Sequence, residues 1–304
     1  MNKILKKFLT GTVAVIIIGA VAVSCSKSSG TTAVTPPTPL GGYVSSDDVA
    51  AANLVSYFPM DGTANDTKGG QTGTVAGGAS FTTGLRGQSY QGAAHGYATI
   101  TPSAAFSSLG SYSLSLWFKM PAQPVAGDPG GIFFLSGTTN GNELLFEVEN
   151  YSPVSHDSIR VHHGFQDLAS PAYQNFTLQA FDTSGINQWV HNVVTYDGAT
   201  STYTFYQNGQ AVGVQSAFSS GGYISPTTLY TDGTMATRLG ALAFTGDAPN
   251  KIVIGTWPAG LYGVSPSLGS NGCFLGNIDE IRVFNKAISA AEVNGLYLNG
   301  KAGR

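Results

Sequence analysis

The sequence predicts an all-β protein, a sandwich or jelly roll of antiparallel strands. Apolar and polar residues alternate with a period of two in many segments, while helical periodicity is almost absent before residue 289. The chain has 40 glycines, which suits many tight turns. Because no helical segment separates the predicted strands, they are expected to pair antiparallel in two packed sheets.

Two segments show the alternation most clearly. In YSLSLWFKM, residues 112–120, one face is apolar and Trp117 lies on the opposite face with serine and lysine. In NELLFEVEN, residues 142–150, Glu147 and Glu149 lie on the face that points away from the core. The residues predicted to face inward on these two strands are Leu114, Leu116, Phe118, Met120, Leu144, Phe146 and Val148.

Turn and cap signals follow later in the chain. Asn208-Gly209 predicts a two-residue hairpin, because both positions must take positive φ. Ser289 followed three residues later by Glu292 is a capping box, which predicts the start of a short C-terminal helix. We expect that helix to finish at Tyr297, before Asn299-Gly300.

The charge balance excludes one class of partner. The chain of 304 residues has 14 basic and 17 acidic side chains, with a formal net charge of −3. Nucleic-acid binding requires a basic face for the phosphates, so we expect no nucleic-acid partner.

The N-terminal segment predicts export and anchoring. Lysines are followed by an apolar run and then by AVSC, which resembles a bacterial lipobox whose cysteine is lipidated. We therefore predict a signal peptide over residues 1–24, lipidation of Cys25, a Ser/Thr/Pro/Gly-rich tether over 25–48 and one domain over 49–304. The expected location is the bacterial cell envelope, on the periplasmic or surface side of the outer membrane, with the lipid as the only membrane contact. A plain secretory signal and an uncleaved anchor are the alternatives.

Four segments carry a resemblance to a known family. They are residues 54–75, 111–120, 189–212 and 276–297, of which the last contains Gly, I-D-E, an alternating strand and a capped helix. In this order they resemble a laminin-G-like domain of the concanavalin A-like lectin/glucanase superfamily. The resemblance implies a jelly-roll sandwich of two curved antiparallel sheets, often with a structural calcium ion. It also implies binding of carbohydrate or protein.

Calcium is the cofactor to which the acidic residues point. Asp61, Asn65 and Asp66 lie in one turn-rich loop, and Asp279 lies at the entrance of the I-D-E strand. Carboxylate and amide oxygens are the ligands that this hard cation prefers. The alternative is that Asp61 caps its own turn and Asp279 accepts backbone N–H groups; both remain open at this point.

Alternation makes further predictions for the same strand. Asp279 is expected to share the face of Ile281 and Val283, and Glu280 to lie on the other face in a partly exposed ion pair with Arg282.

Aromatic side chains are the candidate ligand contacts. Trp257 and Tyr262 lie in a Gly/Pro-rich loop before the I-D-E strand, and Trp117 lies on the polar face of its strand. Aromatic rings pack against sugars, so these three residues are predicted to bind carbohydrate. The alternative for Trp117 is packing.

Glu147 and Glu149 are weak candidates for catalysis. Glycoside hydrolysis needs two carboxylates, and these two lie two residues apart on one strand. The strand lacks the third acidic residue that the superfamily's glucanases use, and Arg160 and His162 on the next strand could neutralise the pair. We therefore expect a binding protein for a polysaccharide or glycoprotein. The alternatives are a structural or protein-interaction module and a divergent glycoside hydrolase.

Overall fold

A computed structural model describes residues 37–304, except for 121–129, 138–142, 150–159, 168–169, 179–185, 216–225, 245–249 and 259–271. The chain divides into two compact units, Met1–Pro37 and Thr38–Arg304. Within the second unit the strands form two antiparallel sheets, which confirms the predicted β-sandwich. Among the residues described, no helix has the length and apolar character needed to cross a bilayer.

The first sheet is built around the strand that contains Asp279 and Glu280. Its order is β13-β12-β11-β6-β17-β4-β3, with β1 also paired to β17 and β15 to β12. Its strands are β1 (Leu54–Phe58), β3 (Ser80–Thr83), β4 (Gln88–Gln91), β6 (Tyr112–Lys119), β11 (Val190–Asp197), β12 (Thr202–Gln207), β13 (Gln210–Val212), β15 (Thr227–Thr228) and β17 (Asn277–Phe284).

The second sheet contains the strand with Glu147. Its order is β14-β10-β9-β8-β7-β16-β5-β2. Its strands are β2 (Gly73–Ala76), β5 (Tyr97–Ile100), β7 (Gly130–Ser136), β8 (Leu144–Glu149), β9 (Arg160–Asp167), β10 (Ser170–Leu178), β14 (Val214–Gln215) and β16 (Lys251–Ile254).

The main hydrophobic core lies between the two sheets. All seven side chains predicted to face inward on β6, its extension at Met120, and β8 belong to it. Burial of a core side chain of this size contributes about 1.5–3 kcal/mol, so these positions set the registers of both sheets. The hairpin at Asn208-Gly209 is confirmed, with φ of 49° and 80° at the two residues.

One helix, α1 (Ala290–Lys301), and three short 3-10 helices, η1 (Ser46–Asp48), η2 (Ala51–Asn53) and η3 (Ala104–Ser108), complete the described elements. The capping box of Ser289 and Glu292 is present as predicted. The helix does not end at Tyr297, because Asn299 and Gly300 continue it. A side chain at Gly300 would meet the ring of Trp117 at 2.9 Å, so glycine is retained there for close packing.

A second, smaller hydrophobic cluster seals the outer face of the first sheet. It joins β11, β12 and β17 to the helix α1 and to the segment that precedes β1. Residues 40–48, which the sequence predicts as tether, are part of this layer. Tyr43 packs against the cluster, the Asn299 amide donates to Leu40 O (2.9 Å), and the Ser46 hydroxyl donates to Arg304 O (2.6 Å).

Candidate functional site

The outer face of the second sheet carries the candidate site, which we call the platform: Phe134, Leu145, Glu147, His162 and Trp257. On β8, Leu145 and Glu147 alternate with residues of the main core and therefore point away from it. Leu145 is opposite Phe134 on β7, and Glu147 is opposite His162 on β9. The strand register therefore places side chains of β7, β8 and β9 next to one another in one patch.

Glu147 and His162 form the polar part of the platform. Nδ1 of His162 lies 2.7 Å from Oε1 of Glu147, and the side chains are 12% and 1% exposed. His162 thus contacts Glu147 across the strands, as the pairing of β8 and β9 predicts; the side chain of Arg160, the other predicted partner, is not described. A carboxylate that holds one ring nitrogen fixes the orientation of the imidazole, so Glu147 fixes the orientation of His162, which is mostly buried.

Trp257 forms the aromatic part of the platform. Its ring is half-buried and lies 5.9 Å from Phe134, in a small cluster with Leu145 and Val253. Its backbone N–H donates to Gly272 O (3.1 Å). Within the described part of the chain, the indole N–H makes no hydrogen bond. The sequence indicates only that Trp257 lies in a loop before the I-D-E strand; in the structure its ring lies against the second sheet.

Gly131 lets the backbone next to Trp257 approach the platform. It is opposite Glu147 on β7, and an added Cβ would meet the carbonyl carbon of Thr256 at 2.5 Å. Because that approach requires a residue without a side chain, Gly131 brings Thr256, and with it Trp257, close to the Glu147 strand. Sequence reasoning missed this residue; a glycine at the start of an apolar strand was its one signal.

Trp117 lies elsewhere and is buried. It is on the outer face of the first sheet, 3% exposed, stacked on His191 (4.7 Å) and on Tyr297 of α1 (5.8 Å). Its prediction as a ligand contact is wrong, because α1 occupies the face of the ring that a sugar would need. Trp117 instead has the alternative role given by the sequence, which is packing between the first sheet and α1.

The predicted calcium ligands fall into two groups. Asp66 is 2% exposed and accepts hydrogen bonds from the Ser56 hydroxyl and from the N–H groups of Tyr57 (2.9 Å), Lys68 (3.0 Å) and Gly69 (2.7 Å). Asn65 accepts from Gly73 N (2.9 Å). These two side chains order their own loop.

Asp61 and Asp279 instead converge on the loop between β3 and β4. Asp61 is exposed and accepts from Gln88 N (2.7 Å), while Asp279 is fully buried and accepts from Leu85 N (2.8 Å) and Arg86 N (3.3 Å). Among the residues described, no three His, Cys, Asp or Glu side chains form a group able to hold a metal. Calcium binding stays a prediction.

Burial dominates the electrostatics of Asp279. Loss of solvation raises the pKa of its carboxyl to about 8, and the adjacent charge of Glu280 acts in the same direction. The N–H groups of Arg86, Leu85 and Glu280 oppose the rise. Asp279 therefore binds its proton far more tightly than an exposed aspartate.

A β-bulge corrects two predictions for this strand. Between Asp279 and Arg282 the register of β17 against β6 shifts, and Glu280 adopts φ of 52°. The extra residue puts Ile278, not Asp279, on the core face with Ile281 and Val283. Alternation alone could not show the bulge, because Glu280 gives no glycine signal for positive φ.

The ion pair of Glu280 and Arg282 is present but buried rather than partly exposed. Arg282 Nη1 lies 2.7 Å from Glu280 Oε2, and the side chains are 3% and 1% exposed. Arg282 also donates to Asp47 (2.8 Å) and stacks on the ring of Tyr57, whose hydroxyl donates to Glu280 (2.6 Å). Sequence reasoning missed Asp47 because it lies in the segment predicted as tether.

The remaining predicted site residues lie outside what the structure describes. Cys25 and Tyr262 are in segments that are not described, and Glu149 belongs to β8 without a described side chain.

The comparisons with known proteins agree with this geometry. Residues 91–233 match the model of a laminin G family described as belonging to the concanavalin A-like lectin/glucanases superfamily. The match covers slightly less than half of the chain, and this part is similar to that superfamily. The match includes β6–β13 and so most of the platform strands of this lectin-like domain. No curated protein matches the chain.

Solved structures show the same fold at low identity. The binding domain of Paraclostridial Mosquitocidal Protein 1 has a TM-score of 0.55 at 13% identity, over 81% of this chain and 52% of that one. The binding domain of botulinum neurotoxin DC with rat synaptotagmin II gives 0.53 at 12%, over 82% and 52%. The same domain with SialylT gives 0.52 at 14%, over 83% and 52%. The chain thus spans about half the length of each of these structures.

Proposed function

We propose that this protein is a carbohydrate-binding protein of the bacterial cell envelope, anchored by lipid at Cys25, whose lectin-like domain binds its glycan on the platform. The observation that carries the proposal is the platform itself. It combines a half-buried tryptophan with a histidine held by a buried carboxylate, on the outer face of one sheet.

The chemistry of the platform suits a sugar. The ring of Trp257 supplies an apolar face against which the C–H face of a pyranose packs, and His162 supplies a hydrogen-bonding group beside it. Both side chains have rigid support, from Phe134 under the ring and from Glu147 under the imidazole. Such preorganisation reduces the entropy that is lost on binding.

The related folds support a glycan or glycoprotein as the partner class. The binding domain of botulinum neurotoxin DC is described in one structure in complex with SialylT and in another in complex with rat synaptotagmin II. A protein-interaction module of the envelope is therefore the second candidate, and the same platform would be its contact surface.

A binding screen tests the proposal. The fragment 38–304 is applied to an array of polysaccharides and glycoprotein glycans, beside Trp257→Ala and a control, Trp189→Ala. Trp189 immediately precedes β11 of the first sheet and lies against Lys119, away from the platform. We expect hits with the parent protein that weaken at least tenfold in Trp257→Ala and remain within twofold in the control. An array without hits contradicts carbohydrate binding, and hits that Trp257→Ala retains contradict the platform.

The alternative of a glycoside hydrolase has its own readout. If the protein released reducing sugar from laminarin and Glu147→Gln abolished the release, a glycoside hydrolase would be the correct function in place of a binding protein. We expect no release, because Glu147 is 1% exposed and is held by His162.

The membrane anchor is proposed from the lipobox-like AVSC. Metabolic labelling with a fatty-acid analogue should mark the parent protein and leave Cys25→Ala unlabelled. Equal labelling of both proteins would contradict lipidation at Cys25.

Calcium is proposed at Asp61 and Asp279, which hold the two ends of one loop; the ion would take the place of the proton that burial keeps on the Asp279 carboxyl. Millimolar Ca²⁺ added to chelator-treated protein should raise the melting temperature by a few degrees. The rise should be lost in Asp61→Asn, with Asp232→Asn as the exposed control. An unchanged melting temperature in the parent protein would contradict the ion.

A further inference from the structure

We infer that two copies of this chain associate through β3, the edge strand of the first sheet, which pairs antiparallel with β3 of the second copy about a twofold axis at Thr82. This surface lies apart from the platform, which belongs to the second sheet, so the inference goes beyond the proposed function. The first sheets of the two copies would form one continuous sheet.

The outer edge of β3 is open. The strand is the last in the order of the first sheet and pairs with β4 on one side. Ser80, Thr82 and Thr83 are exposed, and Phe81 is partly buried against the main core. Within the described part of the chain, these four residues make no backbone hydrogen bond outside the β4 ladder, and Thr83 O receives a long contact from the Ser89 hydroxyl (3.5 Å). Unpaired edge groups are a template for another strand.

The ladder with β4 shows which backbone groups point outward. Gly84 N donates to Gly87 O (3.0 Å) where the ladder ends. Gln88 N donates to Asp61 Oδ1 (2.7 Å) and not to Thr83, its opposite residue on β3. Thr83 therefore belongs to a non-hydrogen-bonded pair, in which N–H and C=O point away from the neighbouring strand.

Phe81 has the same orientation as Thr83. The two kinds of pair alternate along an antiparallel ladder, and Phe81 lies two residues before Thr83 on β3. Each of the two residues carries one N–H and one C=O. The open edge thus offers donors and acceptors at both positions.

The neighbouring edges on this side of the sandwich are covered. On β1, Tyr57 N donates to Asp66 Oδ1 (2.9 Å) and Tyr57 O accepts from Thr67 N (2.8 Å). On β2, Gly73 N donates to Asn65 Oδ1 (2.9 Å). The loop between β1 and β2 therefore occupies the edges of both strands, and β3 keeps its edge free.

A second copy fits the open edge because β3 is complementary to itself. With Thr82 opposite Thr82 of the second copy, Phe81 of each copy lies opposite Thr83 of the other. Both of these outer positions are then hydrogen-bonded pairs, and Phe81 and Thr83 share a face because they are two residues apart. Aromatic with β-branched and threonine with threonine are favourable cross-strand pairs.

The charge of the segment also favours a second copy. Residues 69–85 contain no charged side chain and no proline, although lysine and proline are common means of keeping an edge unpaired. A strand that pairs with its own copy brings like residues together, so a charge there would repel itself. Because β3 has four residues, the contact is small and we expect the dimer to be reversible.

The first test measures the mass of the full-length protein in detergent by sedimentation equilibrium as the concentration rises. We expect a monomer–dimer equilibrium with a dissociation constant below about 1 mM. Thr82→Lys places two like charges opposite each other at the axis and should raise this constant at least tenfold. Thr74→Lys, at an exposed position of the covered β2, should leave it within twofold. A parent protein that stays monomeric overturns the inference, as does equal dimerisation of Thr82→Lys.

The second test examines the register by disulfide cross-linking with diamide. In Thr82→Cys the two cysteines lie opposite each other, within the Cα separation of about 4.4–6.8 Å that a disulfide allows. In Ser80→Cys, at an exposed position on the same strand, they lie four residues apart along the pair, or about 14 Å. We expect Thr82→Cys to cross-link at least tenfold faster, with the 82–82 link identified by mass spectrometry. Equal rates in the two variants, or no 82–82 link, overturn the inference.

Discussion

The two outer faces of the sandwich carry the same kinds of residue in different settings. On the first sheet, Trp117 and the Glu280–Arg282 pair lie beneath α1 and the segment before β1, and both are almost fully buried. On the second sheet, Trp257 is half-buried and His162 keeps part of its edge exposed above Glu147. A tryptophan and a pair of polar side chains are therefore covered on the first face, whereas on the second face the tryptophan is half-buried and His162 is 12% exposed.

The difference teaches that covering, rather than residue type, decides the role of these groups. On the first face, Tyr297 of α1 stacks on Trp117 and occupies the position that a ligand would need. Substitutions on the first face should therefore change mainly the stability, and substitutions on the second face should change ligand binding with a smaller effect on stability.

The largest expected effect is on the buried ion network of the first face. Arg282→Ala leaves Glu280 buried without its cation and removes the stacking on Tyr57. We expect the free energy of unfolding to fall by about 3–5 kcal/mol, measured by urea denaturation. The partly exposed pair of Lys286 and Glu292 is the matched control, and Lys286→Ala should cost less than about 1 kcal/mol. Equal losses of unfolding free energy in Arg282→Ala and Lys286→Ala would contradict the difference between the buried and the partly exposed ion pair.

The two tryptophans should separate next. Trp117→Ala leaves a cavity under α1 and should destabilise the protein by about 3–5 kcal/mol. Trp257→Ala removes a half-buried ring and should cost about 1–2 kcal/mol. Unfolding curves in urea measure both. A greater loss for Trp257 than for Trp117 would reverse the assignment of the two faces.

The pH dependence of stability tests Asp279. Because its pKa is raised to about 8, the folded state binds the proton more tightly than the unfolded state between pH 4 and 8. The free energy of unfolding should therefore fall as pH rises through this range, by up to about 1.4 kcal/mol for each pH unit. Asp279→Asn should lose this component.

The measurement is the difference between the two stability curves from pH 5 to 8. His163 and His191, whose pKa values are lowered to about 3 by burial, change stability in the opposite direction below pH 6.5 in both proteins, and this part cancels. Parallel curves would show that the carboxyl of Asp279 does not titrate in this range.

The sequence predicts the sandwich well and the site only in part. Alternation placed Leu116 and Phe146 in the core and Glu147 opposite a basic residue, because these are nearest-neighbour consequences of strand geometry. It failed at Asp279, where a bulge inserts one residue. It also failed at Trp117, because the docking of α1 on that strand is a contact between distant parts of the chain.

The most direct test of the account is the affinity of a neutral polysaccharide identified on the array for the parent protein, Trp257→Ala and Trp117→Phe. We expect Trp257→Ala to bind at least tenfold more weakly while it unfolds cooperatively, and Trp117→Phe to bind within twofold of the parent. Full affinity in Trp257→Ala, or a comparable loss in a folded Trp117→Phe, would contradict the assignment of ligand binding to the second sheet.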